Sequence, residues 1–254
     1  AMHKLGVQLL VYGDRQREDL PGVLGEIRQA GYDGAEAGGD GRALLSADVL
    51  IRRFADAGLA MSGLHVGYAD CADEVRLGER IDLLRQVGAR FLICSGVSDL
   101  TSIAGYEASA EVFNAVGQRC LDAGLTFCYH NHAWEFQRLE GGRQGIYTLI
   151  ERTSPELVKL NMDVFWLHIG GVRPAEFIAR YADRAGYYHF KDGAKTSDGP
   201  TFIELGRGEV DIAGAAAEAR KHPLEWVVYE QDYVQQEPGL SVRQSFDHLK
   251  EVGL

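Results

Sequence analysis

The chain has 254 residues and a mass of 27.9 kDa, long enough for one large α/β barrel or two small domains, each with a buried core. Its 26 Lys and Arg against 37 Asp and Glu leave a net charge of −11, which disfavours nonspecific binding to nucleic acid or to an anionic membrane surface. With 46% hydrophobic and 25% charged residues the composition is globular, which excludes a disordered chain, and no apolar run approaches the roughly 20 residues that span a bilayer.

The start, A-M-H-K-L-G-V-Q-L-L, has no cleavable apolar region followed by small residues, and its leading Ala before Met reads as an appended residue, so a cytoplasmic location is expected. From there one pattern recurs: an amphipathic stretch, a Gly, then a short apolar run that finishes in polar or Gly residues. Its clearest copies are Q-A-G-Y-D-G-A-E-A-G (29–38), D-A-G-L-A-M-S-G-L-H-V (56–66), Q-V-G-A-R-F-L-I-C-S-G (86–96), D-A-G-L-T-F-C-Y-H-N-H (122–132) and R-A-G-Y-Y-H-F-K-D (184–192). Gly at each exit would supply the left-handed residue that ends a helix. The preceding stretches have helical spacing, as in Leu20, Val23, Leu24 and Ile27, in Val75, Ile81, Leu83 and Leu84, and in Val112, Ala115, Val116 and Cys120. Ser46 and Pro174 mark two helix starts. The predicted strands are 5–11, 33–37, 60–66, 90–95, 125–131, 158–163, 186–190 and 226–230. They read as continuous apolar runs, which is the pattern of parallel strands covered on both faces. Eight units averaging about 32 residues predict a (β/α)8 TIM barrel, a single α/β domain over residues 1–254. Cys71, Cys94, Cys120 and Cys128 show no C-x-x-C spacing, so buried thiols are expected, with neither disulfides nor structural zinc.

In such a barrel the chemistry sits at the C-terminal ends of the strands. The polar residues of this chain gather there: Glu36, His65, the group His130, Asn131, His132 and Glu135, then Asp163, His189 with Lys191 and Asp192, and Glu230 with Asp232. Buried carboxylates and imidazoles need partners. One divalent cation, Mn²⁺, Mg²⁺, Co²⁺ or Zn²⁺, is the simplest, and Asp163, His189 and Glu230 are its expected ligands. His130 and His132 project to the same side of an extended strand, which makes them acid/base candidates.

Five segments, Y-H-N-H-A-W-E-F (129–136), N-M-D-V-F-W-L-H-I-G-G (161–171), Y-H-F-K-D (188–192), E-L-G-R-G-E-V-D (204–211) and V-Y-E-Q-D (228–232), resemble the xylose-isomerase-like TIM barrels, also called the AP endonuclease 2 family. That family includes sugar isomerases, ketose 3-epimerases, dehydratases and endonuclease IV. The resemblance implies a metal held from the fifth to eighth strands and chemistry on a polyol or keto-sugar, with Asp163, His189 and Glu230 at the matching positions. Many epimerases of the family carry Glu at the end of the fifth strand, where this chain has His130. The family's usual set of three carboxylates and one His favours Glu135 as the fourth ligand, with His130 as the alternative. The likeness also suggests dimers or tetramers.

Lys191 is expected either to bind a substrate oxygen or to pair with Asp192. Arg207 is placed for a hydroxyl, phosphate or carboxylate. Glu36 and His65 would line the pocket or bond each other, and Trp134 and Trp166, with Phe165, suit the apolar face of a sugar ring. His168 and His222 are peripheral. The expected activity is that of a metal-dependent sugar, sugar-phosphate or keto-polyol isomerase or epimerase, in which Glu230, His132 or His130 removes a proton beside a carbonyl and Lys191 assists. His at the fifth strand favours the runner-up, a lyase that dehydrates a keto-inositol or 3-keto-sugar. A sugar-binding barrel without catalysis and an abasic-site endonuclease are the lesser alternatives, the latter opposed by the net charge.

Overall fold

In the computed structural model, which describes residues 3–254, each apolar run forms a strand close to its predicted place. The barrel strands are β1 (Lys4–Gln8), β2 (Gly34–Gly38), β3 (Ala60–Gly67), β4 (Phe91–Ser95), β5 (Thr126–His130), β6 (Lys159–Asp163), β7 (Ala185–Phe190) and β10 (Trp226–Tyr229); β8 (Asp192–Thr196) and β9 (Gly199–Ile203) lie between the last two. All eight barrel ladders are parallel, and the order β1-β10-β7-β6-β5-β4-β3-β2 closes through Lys4↔Trp226 to Val7↔Tyr229. This is the predicted (β/α)8 barrel.

The two faces of the strands bury different residues. Val7, Ala35, Leu64, Leu92, Phe127, Leu160, Tyr188 and Val227 join the large core beneath the helices, while Phe91, Ile93, Cys128, Tyr187, Trp226 and Val228 form a separate cluster inside the barrel. The helix Leu20–Ala30 shows how the outer layer is made: Leu20, Val23, Leu24 and Ile27 recur at helical spacing, all are buried, and Gly31 ends the helix at φ 111°. Ser46 and Pro174 stand at the predicted starts of Ala47–Ala57 and Pro174–Arg180.

Four details depart from the sequence reading. The first run is shorter as a strand, because the Gln8 side chain accepts the Leu10 amide at 2.8 Å and turns Leu9–Tyr12 into a 3-10 helix. Gly186 does not end a helix; it lies within β7, where a Cβ would meet Lys159 Cβ at 2.6 Å and Cys128 Sγ at 2.8 Å. Val75 is 73% exposed, because the buried stripe of helix Glu74–Val87 starts at Leu77. The antiparallel hairpin β8–β9, paired from Asp192↔Ile203 to Thr196↔Gly199, was not predicted. All four cysteines are free and buried. Among the described residues no helix is long and apolar enough to cross a membrane.

Candidate metal centre

Side chains two residues apart on a strand share a face. The inner cluster residues Cys128, Tyr187 and Val228 are therefore each followed, two positions on, by an inward polar residue: His130, Asp163's neighbour His189, and Glu230. Gln8, Glu36, His65, Ser95 and Asp163 occupy the same level on the remaining strands. One polar side chain from every barrel strand thus faces one mouth.

His189 is the hub. Its Nε2 lies 2.6 Å from Glu36 Oε2 and its Nδ1 3.2 Å from Glu230 Oε2, with all three side chains at 5% exposure or less. Burial opposes a charged ring, but Glu36 and then Glu230 outweigh it and raise His189 to about 9. Glu36 is held well below the usual carboxylate range: burial opposes this, and His189 overcomes it. Glu36 also accepts from Gln8 Nε2 at 3.1 Å and lies 3.4 Å from His65 Nδ1, while His65 Nε2 meets Ser95 Oγ at 2.9 Å. Glu36 and His65 lie close to each other without a hydrogen bond of good geometry, and Glu36 goes further by reaching the centre. Gln8 was missed, since a single amide in an apolar run carries no signal of its own.

Among the described residues two sets of three have ligand atoms within 4.8 Å of one another: His130, Asp163 and His189, and Glu36, His189 and Glu230. The three ligands expected from sequence divide over these sets, with His189 common to both. Lys191 joins them: its ammonium lies 2.7 Å from Glu230, 3.6 Å from Asp163 and 2.6 Å from Asp232, with the Trp166 ring centre at 5.1 Å. Burial pushes Asp163 up to about 6, against the pull of Lys191.

The fifth strand corrects one expectation. Glu135 is in neither set, because both of its oxygens are taken: Oε1 accepts from the Tyr129 hydroxyl at 2.7 Å and Oε2 from the His132 amide at 2.8 Å. His130, the alternative, is the residue brought to the centre. His132 lies beside it, ring centres 4.8 Å apart, stacked on Trp134 at 3.9 Å and 13° and facing Trp166 at 5.4 Å. Burial lowers both imidazoles well below their ordinary value.

Lys191 does not pair with Asp192 either. Asp192 turns away and accepts the amides of Gly193, Gly206, Gly208 and Val210 at 2.8–3.1 Å. Arg207 is exposed, 3.4 Å from Glu204, beside a separate cavity of about 260 Å³. His168 and His222 stand with Glu209 and Glu218, outside the centre. A larger cavity of about 560 Å³ opens against His65 and Ser95, with Arg42, Asp70, Arg76 and Arg80 in its lining. Arg80 is paired with Asp70 at 3.0 Å and Arg42 with Asp40 at 2.7 Å, so this wall offers donors and acceptors together.

A model of the family described as xylose isomerase-like TIM barrel matches residues 24–252. The chain belongs to this family. Inosose dehydratase from Geobacillus kaustophilus (strain HTA426) is 26% identical over 206 residues, 71% of this chain and 63% of that protein, so the chain spans less than two thirds of the curated relative. A sugar phosphate isomerase/epimerase from Parabacteroides distasonis ATCC 8503 superposes with a TM-score of 0.85 at 21% identity, covering 98% of this chain and 93% of that one. L-ribulose 3-epimerase superposes with a TM-score of 0.78 at 18% identity, covering 99% and 94%. At these identities the structural likeness is one of fold.

The centre of this xylose isomerase-like barrel fits a divalent cation on its own chemistry. Asp163 Oδ2, His189 Nδ1 and Glu230 Oε2 are buried without a hydrogen bond of good geometry, the last two facing each other at 3.2 Å and the first 3.6 Å from Lys191 Nζ. Such atoms are costly unless something compensates them. All three belong to residues singled out as ligands from sequence, and imidazole nitrogen with carboxylate oxygen is a donor set that holds Mn²⁺, Co²⁺ or Zn²⁺.

Proposed function

We propose that the protein is a metal-dependent enzyme that removes a proton beside the carbonyl of a sugar or cyclic polyol, acting as an isomerase or epimerase. The observation that carries this reading is the pair of buried His and carboxylate sets that share His189, His130–Asp163–His189 and Glu36–His189–Glu230, with His65, which contacts Glu36, opening on a polar cavity. Bound there, a divalent ion would polarise the carbonyl and make the adjacent C–H more acidic. Asp163, His189 and Glu230 would hold it, with Glu36 or His130 completing the set. The paired Arg80 and Asp70 suit hydroxyl groups, which both donate and accept.

The half-buried His132 is the base in this proposal. The stacked Trp134 fixes its ring and its Nδ1 is buried, so Nε2 is the nitrogen left to take a C–H proton. Lys191 Nζ keeps Glu230 ionised and can donate to an oxygen that gains charge. Trp134 and Trp166 exclude water from the face of the ring. Return of the proton to the opposite face gives an epimer, and return to the neighbouring carbon an isomer. A second reading, elimination of a β-hydroxyl, is favoured by one feature: the fifth strand presents neutral imidazoles instead of a second carboxylate, and a protonated His132 could pass its proton to a leaving hydroxyl.

The test is NMR of ketoses, keto-inositols and 3-keto-glycosides in D₂O with metal-loaded protein. Deuterium uptake beside the carbonyl with an isomeric product is expected; a dehydrated product selects the second reading, and no exchange on any of them overturns both. His132→Asn is expected to lower kcat by about 10²–10⁴-fold while metal content, measured by emission spectroscopy, stays near one equivalent. Loss of the ion in this variant would make His132 a ligand.

A further inference from the structure

His130 and Asn161 are register partners across β5 and β6, and β6 shifts register against β7 at Leu160/Asn161, which sets Asn161 opposite Tyr187. Bulges of this kind re-aim side chains near active sites. The Asn161 amide touches two groups. Its Nδ2 lies 3.3 Å from the Tyr187 carbonyl oxygen, and its Oδ1 lies 2.6 Å from His130 Nδ1.

A carbonyl oxygen only accepts, so the amide nitrogen must face Tyr187; the flipped amide would set two acceptors against each other. Asn161 Oδ1 therefore faces His130, and being an acceptor it requires a hydrogen on His130 Nδ1. A neutral imidazole has one N–H. We propose that Asn161 is a positioning residue that locks His130 in the Nδ1–H tautomer, so that Nε2 carries the lone pair turned toward the centre. Nε2 is 3.8 Å from Asp163 Oδ2, too far for a hydrogen bond, and so is not consumed there.

The consequence separates the two fifth-strand histidines. His132 Nδ1 has no partner, so no hydrogen bond at that nitrogen fixes its tautomer. His130 has its one hydrogen committed to Asn161 and offers a fixed lone pair. That is the arrangement of a metal-ligating imidazole held by a neighbour through its other nitrogen. On the proposed function, on which this inference rests, His130 is the donor that the fifth strand supplies, and His132 the proton carrier.

Two-bond proton–nitrogen correlation spectra of metal-free protein with ¹⁵N-labelled histidine test the assignment without any substrate. The Nδ1–H pattern is expected for His130, and an Nε2–H pattern would overturn the proposal. Asn161→Leu should weaken Mn²⁺ binding, measured by titration calorimetry, by about 10–100-fold and lower kcat by a similar factor with little change in KM. Asn161→Asp keeps an acceptor for Nδ1–H and should recover part of both losses; wild-type Mn²⁺ affinity in the Leu variant would remove the positioning role. If Asn161→Leu does not fold, the wild-type spectrum still decides. If no substrate exchanges hydrogen, the function reading fails while the spectrum and the Mn²⁺ titration judge this inference separately.

Discussion

Glu230→Gln is expected to lower turnover by roughly 10²–10³-fold, the scale on which loss of one preorganised charged group acts. Glu230 contributes an unpartnered Oε2 beside His189 and an Oε1 that meets Lys191 at 2.7 Å. The amide keeps the shape of the side chain and removes the charge. Breaking a buried ion pair often costs several kcal/mol, but here Lys191 retains Asp232 at 2.6 Å and Asp163 at 3.6 Å. Removing one of several neighbouring carboxylates also relieves repulsion. A stability change near 1 kcal/mol, or about 2–4 °C in Tm, is therefore expected. Steady-state kinetics and a thermal melt of the same preparation check both halves, and wild-type turnover would remove Glu230 from the site.

Asp192→Ala should do the reverse, striking stability first. The Asp192 carboxylate gathers four backbone amides from the start of β8 and from the turn 206–210, and no other side chain replaces it. Hydrogen bonds to a charged acceptor contribute about 1.5–3 kcal/mol each. Hydration of the freed glycine amides recovers part of that, leaving a loss of about 4 kcal/mol and a Tm lower by roughly 8–16 °C. Urea or thermal unfolding monitored by circular dichroism measures it. A change below 1 kcal/mol would mean that water serves these amides as well as the carboxylate does. Lys191, held by ion pairs with Asp163, Glu230 and Asp232, should stay in place.

The barrel was legible because its signal is repetitive: Gly, apolar run and polar end recur at near-constant spacing, and each copy corrects errors in the others. The centre was legible for a related reason. Asp163, His189 and Glu230 interrupt runs such as K-L-N-M-D and W-V-V-Y-E at the one level where a barrel tolerates charge. Glu135 was misplaced because a count of carboxylates says nothing about direction, and the 3-10 turn Trp134–Phe136 directs it to Tyr129 and the His132 amide. Gln8 and Asn161 were invisible as site residues, since their roles arise only from neighbours on other strands, Glu36 and His130. The hairpin β8–β9 was hidden by its polar sequence, K-D-G-A-K-T-S-D-G-P-T-F-I-E, which lacks the apolar run that announced every other strand.

Because the inward polar groups come from every barrel strand or its end, from Gln8 to Glu230, no single strand-and-helix unit holds the candidate centre by itself. Assembly of the pocket and closure of the cylinder are then a single event. Ions that bind only the closed form act as a clasp on the whole molecule, contributing about 2.7 kcal/mol at a concentration one hundred times Kd.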